Sequence, residues 1–175
     1  GEISVRELRE HMHRGEDLFM LDVRNPEEHE RSRPEGRRPL TFLNVPYGEF
    51  LTEDDVDDLA EAASLYTQRR LGEKLPKDRP IGVVCGKGNA SAFVAEGLRR
   101  AGYNAVSIAG GMAAWGDYYE FHPVVESEPL SIWQVVRPAR GCLGYLLAAG
   151  HTAVVVDPLR HVDQYVEFAE EKELQ

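Results

Sequence analysis

Cys85 lies where a short run of apolar residues gives way to a loop rich in glycine. The residues that follow it are Gly86, Lys87, Gly88, Asn89, Ala90 and Ser91. Glycines let a backbone curl tightly and turn successive N–H groups inward, which creates a nest for an anion. A cysteine thiolate is the anion that this sequence supplies. The partial positive charge of a helix N-terminus and the charge of Lys87 are both expected to lower the pKa of the Cys85 thiol.

A cysteine can also be a packed residue without chemistry, because cysteine is among the most buried residue types. The glycine loop and the helix that follows favour a nucleophile at Cys85. The second cysteine, Cys142, lies in an apolar, strand-like run, so we expect a packed, inert thiol there. Two cysteines are too few for a disulfide scaffold and fit a reducing compartment. A disulfide between Cys85 and Cys142 is the alternative.

Two elements must position Cys85. Residues 81–84 are apolar and mostly β-branched, which predicts a strand buried on both faces. A helical pattern begins near Ser91 and ends at Gly102. Strand, loop and helix in this order place Cys85 at the carboxyl end of a strand, where ligands gather in open α/β sheets.

Other segments extend the same alternation of strands and helices. Residues 18–23 predict a second strand, with Asp22 and Arg24 at its carboxyl end. A helix capped by Ser4 is predicted before it, and a long acidic helix is predicted from Thr52 to Leu71. That helix would carry three acidic residues in its first turn: Glu53, Asp54 and Asp55. The alternation predicts an α/β fold with a parallel sheet and right-handed crossovers.

Four stretches in this order resemble one family, the rhodanese-like sulfurtransferases. Besides the loop from Cys85, they are Phe19–His29 with its Asp-x-Arg, Asn44–Tyr47, and Ser107–Trp115 with its Gly-Gly and Trp. The resemblance covers residues 1–122 and implies a rhodanese-like sheet flanked by helices. It implies that Cys85 is catalytic and that residues 86–91 bind the substrate and a persulfide. It also implies that Asp22 and Arg24 hold the loop geometry. Ala90 departs from the family, which often has Arg, Thr or Ser there, so one donor to a substrate is expected to be missing.

The reaction implied by this resemblance is sulfur transfer. The Cys85 thiolate would take a sulfane sulfur from thiosulfate or a small-molecule persulfide and pass it to a thiol or cyanide, with no metal or organic cofactor. A cysteine phosphatase is an alternative, but it needs an arginine where this chain has Ser91. A third reading is a catalytically weak regulatory or binding module. Such a module would deliver sulfur to a fused or partner hydrolase, and the presence of Cys85 argues against an inactive one.

The C-terminal part has a different pattern. Residues 123–129 contain two prolines and predict a linker, and residues 130–175 predict an antiparallel meander with one helix. This second segment resembles the opening strands of a metallo-β-lactamase-fold domain, as in fusions with rhodanese domains that are similar to persulfide dioxygenases. It stops before that family's histidine motif, so we expect a truncated domain without metal. Its open sheet is expected to pack on the first domain or to form a homodimer.

The charge balance limits the partners of this protein. Lys and Arg total 20 against 30 Asp and Glu, a net charge of −10, which argues against binding to nucleic acid or to an anionic membrane. No run of apolar residues is long enough for a membrane span, and no signal peptide pattern is present, so we predict a cytoplasmic protein. The expected partners are a small-molecule sulfur donor and a thiol acceptor. Arginines between residues 31 and 38 are either a solvated surface or attract anionic donors to the entrance.

Overall fold

The computed structural model describes residues 1–52 and 56–175, and the chain divides into two compact units, Gly1–Trp115 and Gly116–Gln175. The boundary corrects the expected linker at residues 123–129, because most of these residues belong to a strand. Pro123 fits within that strand because the strand is at the edge of its sheet and its register shifts between Pro123 and Val125. Proline is tolerated at edges and bulges, since it removes one ladder hydrogen bond.

The first unit is built on a parallel sheet of five strands in the order β1-β5-β4-β2-β3. The strands are β1 (Glu2–Ile3), β2 (Phe19–Asp22), β3 (Thr41–Asn44), β4 (Ile81–Val84) and β5 (Ala105–Ile108). The helices are α1 (Val5–Arg14), α2 (Pro26–Arg31), α3 (Leu59–Tyr66), α4 (Asn89–Arg100) and α5 (Gly111–Asp117). This architecture, together with a second, antiparallel sheet, confirms the predicted fold class.

Strand β4 lies at the centre of the sheet, between β5 and β2, and all of its residues are buried. Its apolar composition reflects this position, since both of its faces are covered. Helix α4 buries Val94, Ala95 and Leu98 against the core that Ile81 and Val83 share. The sequence therefore encodes a rigid strand-to-helix unit, and Cys85 lies at its turn.

The acidic helix begins later than the sequence predicts, and a π-helical turn, Thr67–Leu71, carries it to the predicted end. Helix α3 begins at Leu59, where the Asp58 side chain accepts hydrogen bonds from Ala60 N and Glu61 N. Thr52 does not cap it, because the Thr52 hydroxyl donates to the Glu49 carbonyl after a 3₁₀ turn. The three acidic residues predicted for its first turn, Glu53, Asp54 and Asp55, lie outside the described residues.

The register of the sheet brings three strand ends together. Asp22 pairs with Val84 on one side and with Asn44 on the other, and all three strands are parallel. The segments that follow β2, β3 and β4 therefore leave the sheet at one edge. Cys85 and Arg24 both lie at this edge, as the sequence predicts.

The second unit is an antiparallel sheet with one helix, as predicted, and it gains an additional strand from the expected linker. Its strands follow one another in the sheet as β6 (Glu120–Ser127), β7 (Leu130–Arg137), β8 (Cys142–Ala149) and β9 (Thr152–Val156). Helix α6 (Asp163–Glu171) packs Tyr165 and Phe168 against Trp133 on one face of this sheet. The other face exposes Tyr145, Leu143, Val154 and Val156.

Two details of this unit bear on the predictions. Cys142 is exposed, which corrects the expectation of a packed thiol. It is the first residue of β8 and pairs with Arg137. Two buried residues of this strand, Leu146 and Ala148, lie further along it. At the edge of β9, Ala153 N–H donates to the Gln175 carbonyl at 2.7 Å.

Among the described residues, no helix combines the length and the apolar character that crossing a bilayer requires.

Candidate active site around Cys85

Cys85 follows β4 directly and is 6% exposed. Its sulfur accepts a hydrogen bond from Gly88 N–H at 3.1 Å. Gly88 has a φ of +94° and is the N-cap residue of helix α4. A side chain there would be strained, and its Cβ would overlap the Gly110 backbone. The left-handed turn at Gly88 therefore aims an N–H group of the loop at the thiol.

The loop is held from behind by the start of helix α5. Met112 N–H donates to the Cys85 carbonyl and Ala113 N–H to the Gly86 carbonyl, each at 2.9 Å. Gly111 has a φ of +55°, and a Cβ on it would collide with the Cys85 carbonyl oxygen. The Gly-Gly pair of the sequence thus permits the close approach of α5 to the loop. The loop geometry depends on this later segment as well as on its own glycines.

A buried pair of serines lies beside the thiol. The Cys85 thiol donates to Ser91 Oγ across 3.4 Å, and Ser91 Oγ lies 2.9 Å from Ser107 Oγ. Ser91 and Ser107 are 0% and 1% exposed. Ser107 was not predicted from the sequence. A signal was available, since Ser107 is a small polar residue between the apolar residues Val106 and Ile108. A hydroxyl buried in a strand requires a hydrogen-bond partner, which indicates a second polar group nearby.

These contacts determine the ionisation of Cys85. Burial acts to raise the pKa of the thiol. It is outweighed by the hydrogen bonds that the ionised sulfur receives from the side chain and backbone of Ser91 and from the backbones of Lys87 and Gly88. The pKa of Cys85 consequently lies below its ordinary value, as the loop sequence predicts. The cause differs in one respect, since Lys87 is exposed and acts through its backbone N–H, not through its charge.

Asp22 and Arg24 form a buried ion pair at the same edge of the sheet. Arg24 Nη2 lies 2.6 Å from Asp22 Oδ2, and Arg24 Nε donates to Asp22 Oδ1 at 3.0 Å. Arg24 also donates to the Ser32 carbonyl at 2.6 Å. Burial acts to raise the pKa of Asp22, but the bonds from Arg24 and His29 hold it below the usual value. The pair ties the end of β2 to the loop after α2, and the predicted support of the Cys85 loop by Asp22 and Arg24 stays a prediction.

Two further residues of this network were not predicted as part of the site. His29 Nδ1 lies 2.9 Å from Asp22 Oδ2, and the Asn44 side-chain amide donates to the carbonyls of Asp22 and Arg24, both at 2.9 Å. His29 lies in α2 and Asn44 ends the neighbouring strand. Both stood in stretches that the family resemblance had marked, but no local pattern predicts contacts between separate elements.

An open cleft of about 400 Å³ gives access to Cys85. Its lining residues are Val23, Arg24, Asn25, Glu28, Tyr47, Gly48, Cys85, Gly86, Lys87, Asn89 and Ala90. Ser91 is not among them, because it lies behind the loop. Of the six predicted loop residues, four therefore line the cleft: Gly86, Lys87, Asn89 and Ala90. Gly88 donates its N–H to the thiol, and Ser91 contacts the thiol from the protein interior.

The arginines after α2 are not at this entrance. Arg33 and Arg37 line a separate cleft of about 470 Å³ together with Phe42. Arg33 lies over the Phe42 ring at 5.8 Å. Neither Arg33 nor Arg37 lines the cleft at Cys85, and attraction of donors by the arginines of this segment stays a prediction.

The described residues also limit the possible metal ligands. Within residues 1–52 and 56–175, no three His, Cys, Asp or Glu side chains lie close enough together to hold a metal ion.

Comparison of this chain with protein families and solved structures identifies the family to which it is similar. The model of the rhodanese-like domain matches residues 4–118. A solved rhodanese-like domain protein from Staphylococcus aureus is 25% identical, with 66% of this chain and 91% of that chain covered and a TM-score of 0.48. A rhodanese-related protein from Thermoplasma volcanium is 24% identical over 65% of this chain and 88% of its own, with a TM-score of 0.46. An NAD-dependent persulfide reductase from A. fulgidus is 28% identical, with 65% of this chain and 15% of that chain covered and a TM-score of 0.41.

Proposed function

The chain belongs to the family of rhodanese-like domains, and we propose that it is a sulfurtransferase with Cys85 as its nucleophile. The observation that carries this proposal is the environment of the Cys85 sulfur. It is 3.1 Å from Gly88 N, its pKa is lowered by hydrogen bonds that outweigh burial, and it lines an open cleft. A thiolate that is stabilised by its own loop and open to small molecules is suited to nucleophilic attack.

The proposed cycle has two displacements. The Cys85 thiolate attacks the outer sulfur of thiosulfate, a bond between the two sulfurs forms, and sulfite leaves with the electron pair of the broken S–S bond. An acceptor thiolate or cyanide then attacks the outer sulfur of the Cys85 persulfide. The Cys85 thiolate leaves and is ready for the next donor, so no external oxidant or reductant is consumed. A small-molecule persulfide can replace thiosulfate, with its thiolate as the leaving group.

The loop would assist both displacements. Charge on the Cys85 sulfur is transferred to the persulfide and returned, and N–H groups that face the sulfur stabilise it without reorganisation. Gly86, Lys87, Asn89 and Ala90 line the cleft where the outer sulfur would lie. The Ala90 side chain offers no hydrogen bond, so binding of the donor would depend on backbone groups and on Lys87.

The alternative of a phosphatase has less support. Arg24 lines the cleft, and its guanidinium is bound to Asp22 and the Ser32 carbonyl. A phosphoryl group requires an arginine fork that is available to its oxygens. The position that carries this arginine in a cysteine phosphatase is occupied here by Ser91, which lies in the interior.

The test compares two cysteine variants. We expect Cys85→Ser to abolish transfer from thiosulfate to cyanide. After incubation with thiosulfate, mass spectrometry should show one added sulfur atom on the wild-type chain and none on this variant. Cys142→Ser is the matched control, because Cys142 is the exposed second cysteine. This variant should keep both the transfer activity and the added sulfur atom. Sulfur transfer that survives in Cys85→Ser would refute the proposal. A panel of persulfide donors and thiol acceptors in the same assay would distinguish a sulfurtransferase from a weakly active sulfur-delivering module.

The second unit carries its own proposals. The family model ends at residue 118, so the resemblance of residues 130–175 to the opening strands of a metallo-β-lactamase-fold domain stays a prediction. The apolar sheet face of Leu143, Tyr145, Val154 and Val156 is consistent with the proposed homodimer, because exposed apolar patches are typical of interaction surfaces. Sedimentation of the wild-type chain and of Val154→Glu would test it: a wild-type monomer contradicts the dimer. The cytoplasmic location also stays a prediction.

A further inference from the structure

A polar contact behind the loop is not explained by the family resemblance. Ser107 lies in β5, where it pairs with Val83 of β4, and its hydroxyl is buried beside Ser91 Oγ at 2.9 Å. A hydroxyl in the middle of a buried strand lowers stability unless it is hydrogen-bonded. Among the described residues, the Ser91 hydroxyl is the hydrogen-bond partner of the Ser107 hydroxyl. The two side chains therefore have to be considered together.

The protons of these hydroxyls can be counted. Ser91 Oγ has one proton and two lone pairs, and it has three neighbours. Its proton goes to the Gly88 carbonyl at 3.0 Å, and one lone pair accepts from the Cys85 thiol at 3.4 Å. The remaining lone pair faces Ser107 Oγ, so the Ser107 hydroxyl must be the donor in that contact. While Cys85 is a thiol, each group at this junction is satisfied.

Ionisation of Cys85 changes the requirements at Ser91. The Cys85 sulfur loses its proton and becomes an acceptor, so the Ser91 proton is needed there. The Gly88 carbonyl can release that proton because it also accepts from Ala92 N–H at 3.3 Å. Ser91 can then turn its proton to the sulfur, while Ser107 keeps donating to Ser91 Oγ. Hydrogen bonds in such a chain polarise one another, so the Ser107 bond strengthens the bond from Ser91 to the thiolate.

We propose that Ser107 is a positioning residue for the nucleophile: it donates to Ser91 Oγ and so directs the Ser91 proton to the Cys85 thiolate. This inference rests on the proposed function, since it concerns the same thiolate. Ser107 itself does not touch the cleft or a substrate. Its contribution is made from β5, through Ser91, to the sulfur.

The experiment measures the alkylation of Cys85 by iodoacetamide as a function of pH, and it needs no sulfur transfer. It is performed in the Cys142→Ser chain, because the exposed Cys142 would otherwise react as well. The variants are Ser107→Ala, Ser107→Thr, which restores a hydroxyl, and Ser64→Ala. Ser64 is the matched control: it is 2% exposed in α3, and its hydroxyl accepts from Gln68. Each profile is recorded at a temperature where circular dichroism shows the variant to be folded.

We expect Ser107→Ala to move the midpoint of the profile to higher pH. Below the midpoint its alkylation should slow by roughly two- to five-fold, which is within the contribution of one neutral hydrogen bond. Ser107→Thr should restore the wild-type midpoint, and Ser64→Ala should not move it. A profile of Ser107→Ala that coincides with the wild type would overturn the proposal. So would a Ser107→Thr profile that stays with that of Ser107→Ala.

A double-variant cycle tests whether Ser107 acts through Ser91. In the Ser91→Ala chain there is no proton for Ser107 to direct, so adding Ser107→Ala should leave the midpoint unchanged. Additive shifts of the two substitutions would contradict the mechanism. These results are independent of the proposed function, because a chain that transfers no sulfur still reports the ionisation of Cys85.

Discussion

The carboxylate of Asp22 and the guanidinium of Arg24 meet at 2.6 Å, with side chains 0% and 5% exposed. Removing one partner of a buried ion pair leaves the other charge without compensation, which destabilises a protein by about 3–5 kcal/mol. We therefore expect Asp22→Asn to lower the free energy of unfolding by about that amount, as measured by urea denaturation. Asp17→Asn is the control, because Asp17 forms an ion pair with Arg79 while 72% exposed, and it should change stability by less than about 1 kcal/mol. Equal effects of the two substitutions would contradict this role of Asp22.

The same pair predicts how stability depends on acid. The pKa of Asp22 is lower in the folded protein than the value of about 3.9 expected in the unfolded chain. Its contribution is therefore fully present above about pH 4 and is lost as the pH falls through the folded pKa. Urea denaturation at a series of pH values should show the difference between the wild type and Asp22→Asn shrinking in acid. A difference that stays constant down to pH 2 would mean that Asp22 titrates like an unperturbed carboxyl group.

The reactivity of Cys85 should follow its lowered pKa. An ordinary cysteine ionises at about pH 8.5, and the bonds from Ser91, Lys87 and Gly88 lower the pKa of Cys85. Alkylation of the Cys142→Ser chain should consequently rise to its plateau at a lower pH than that of the urea-unfolded chain. The unfolded chain is the internal control, since it carries the same cysteine without the loop. Coinciding profiles would show that the loop does not stabilise the thiolate.

Two glycines of α5 provide a test of the support behind the loop. A Cβ at Gly111 would collide with the Cys85 carbonyl, whereas a Cβ at Gly116 meets nothing within 4 Å. We expect Gly111→Ala to displace the loop and to reduce sulfur transfer by roughly a hundred-fold, because small displacements of a reacting group are costly. Gly116→Ala should keep transfer near the wild-type rate. Full activity in Gly111→Ala would mean that the loop keeps its shape without this contact.

The parts of the site that local sequence determines could be predicted. Residues 81–84, the glycines and the start of α4 specify a strand, a turn and a helix by their own composition, so the position of Cys85 followed. Asp22 and Arg24 followed from their place at the carboxyl end of a strand and from the family resemblance. Their partners, His29 and Asn44, come from a helix and from a neighbouring strand. The sheet register places Asn44 opposite Asp22, and the packing of α2 brings His29 to the Asp22 carboxylate.

The wrong predictions have the same origin. Residues 123–129 were assigned to a linker because of their prolines, but pairing with β7 and a shift of register accommodate Pro123 in a strand. Cys142 was expected to be packed because its neighbours are apolar, yet it lies at the open end of β8. Thr52 has the side chain of a helix cap, and Asp58 performs that function instead. In each case, tertiary placement overrode a local preference.

The dependence of the loop on α5 has a consequence during folding. Cys85 leaves the ribosome before Gly111, Met112 and Ala113, whose backbone later fixes the loop. Until β5 and the start of α5 have docked, the loop lacks this backbone support, so we expect Cys85 to behave more like an ordinary thiol, with less thiolate at neutral pH. We therefore expect Cys85 of the nascent chain to be less prone to oxidation and to mispaired disulfides than Cys85 of the folded chain. We expect the full reactivity of Cys85 to be reached only when α5 has docked on the loop.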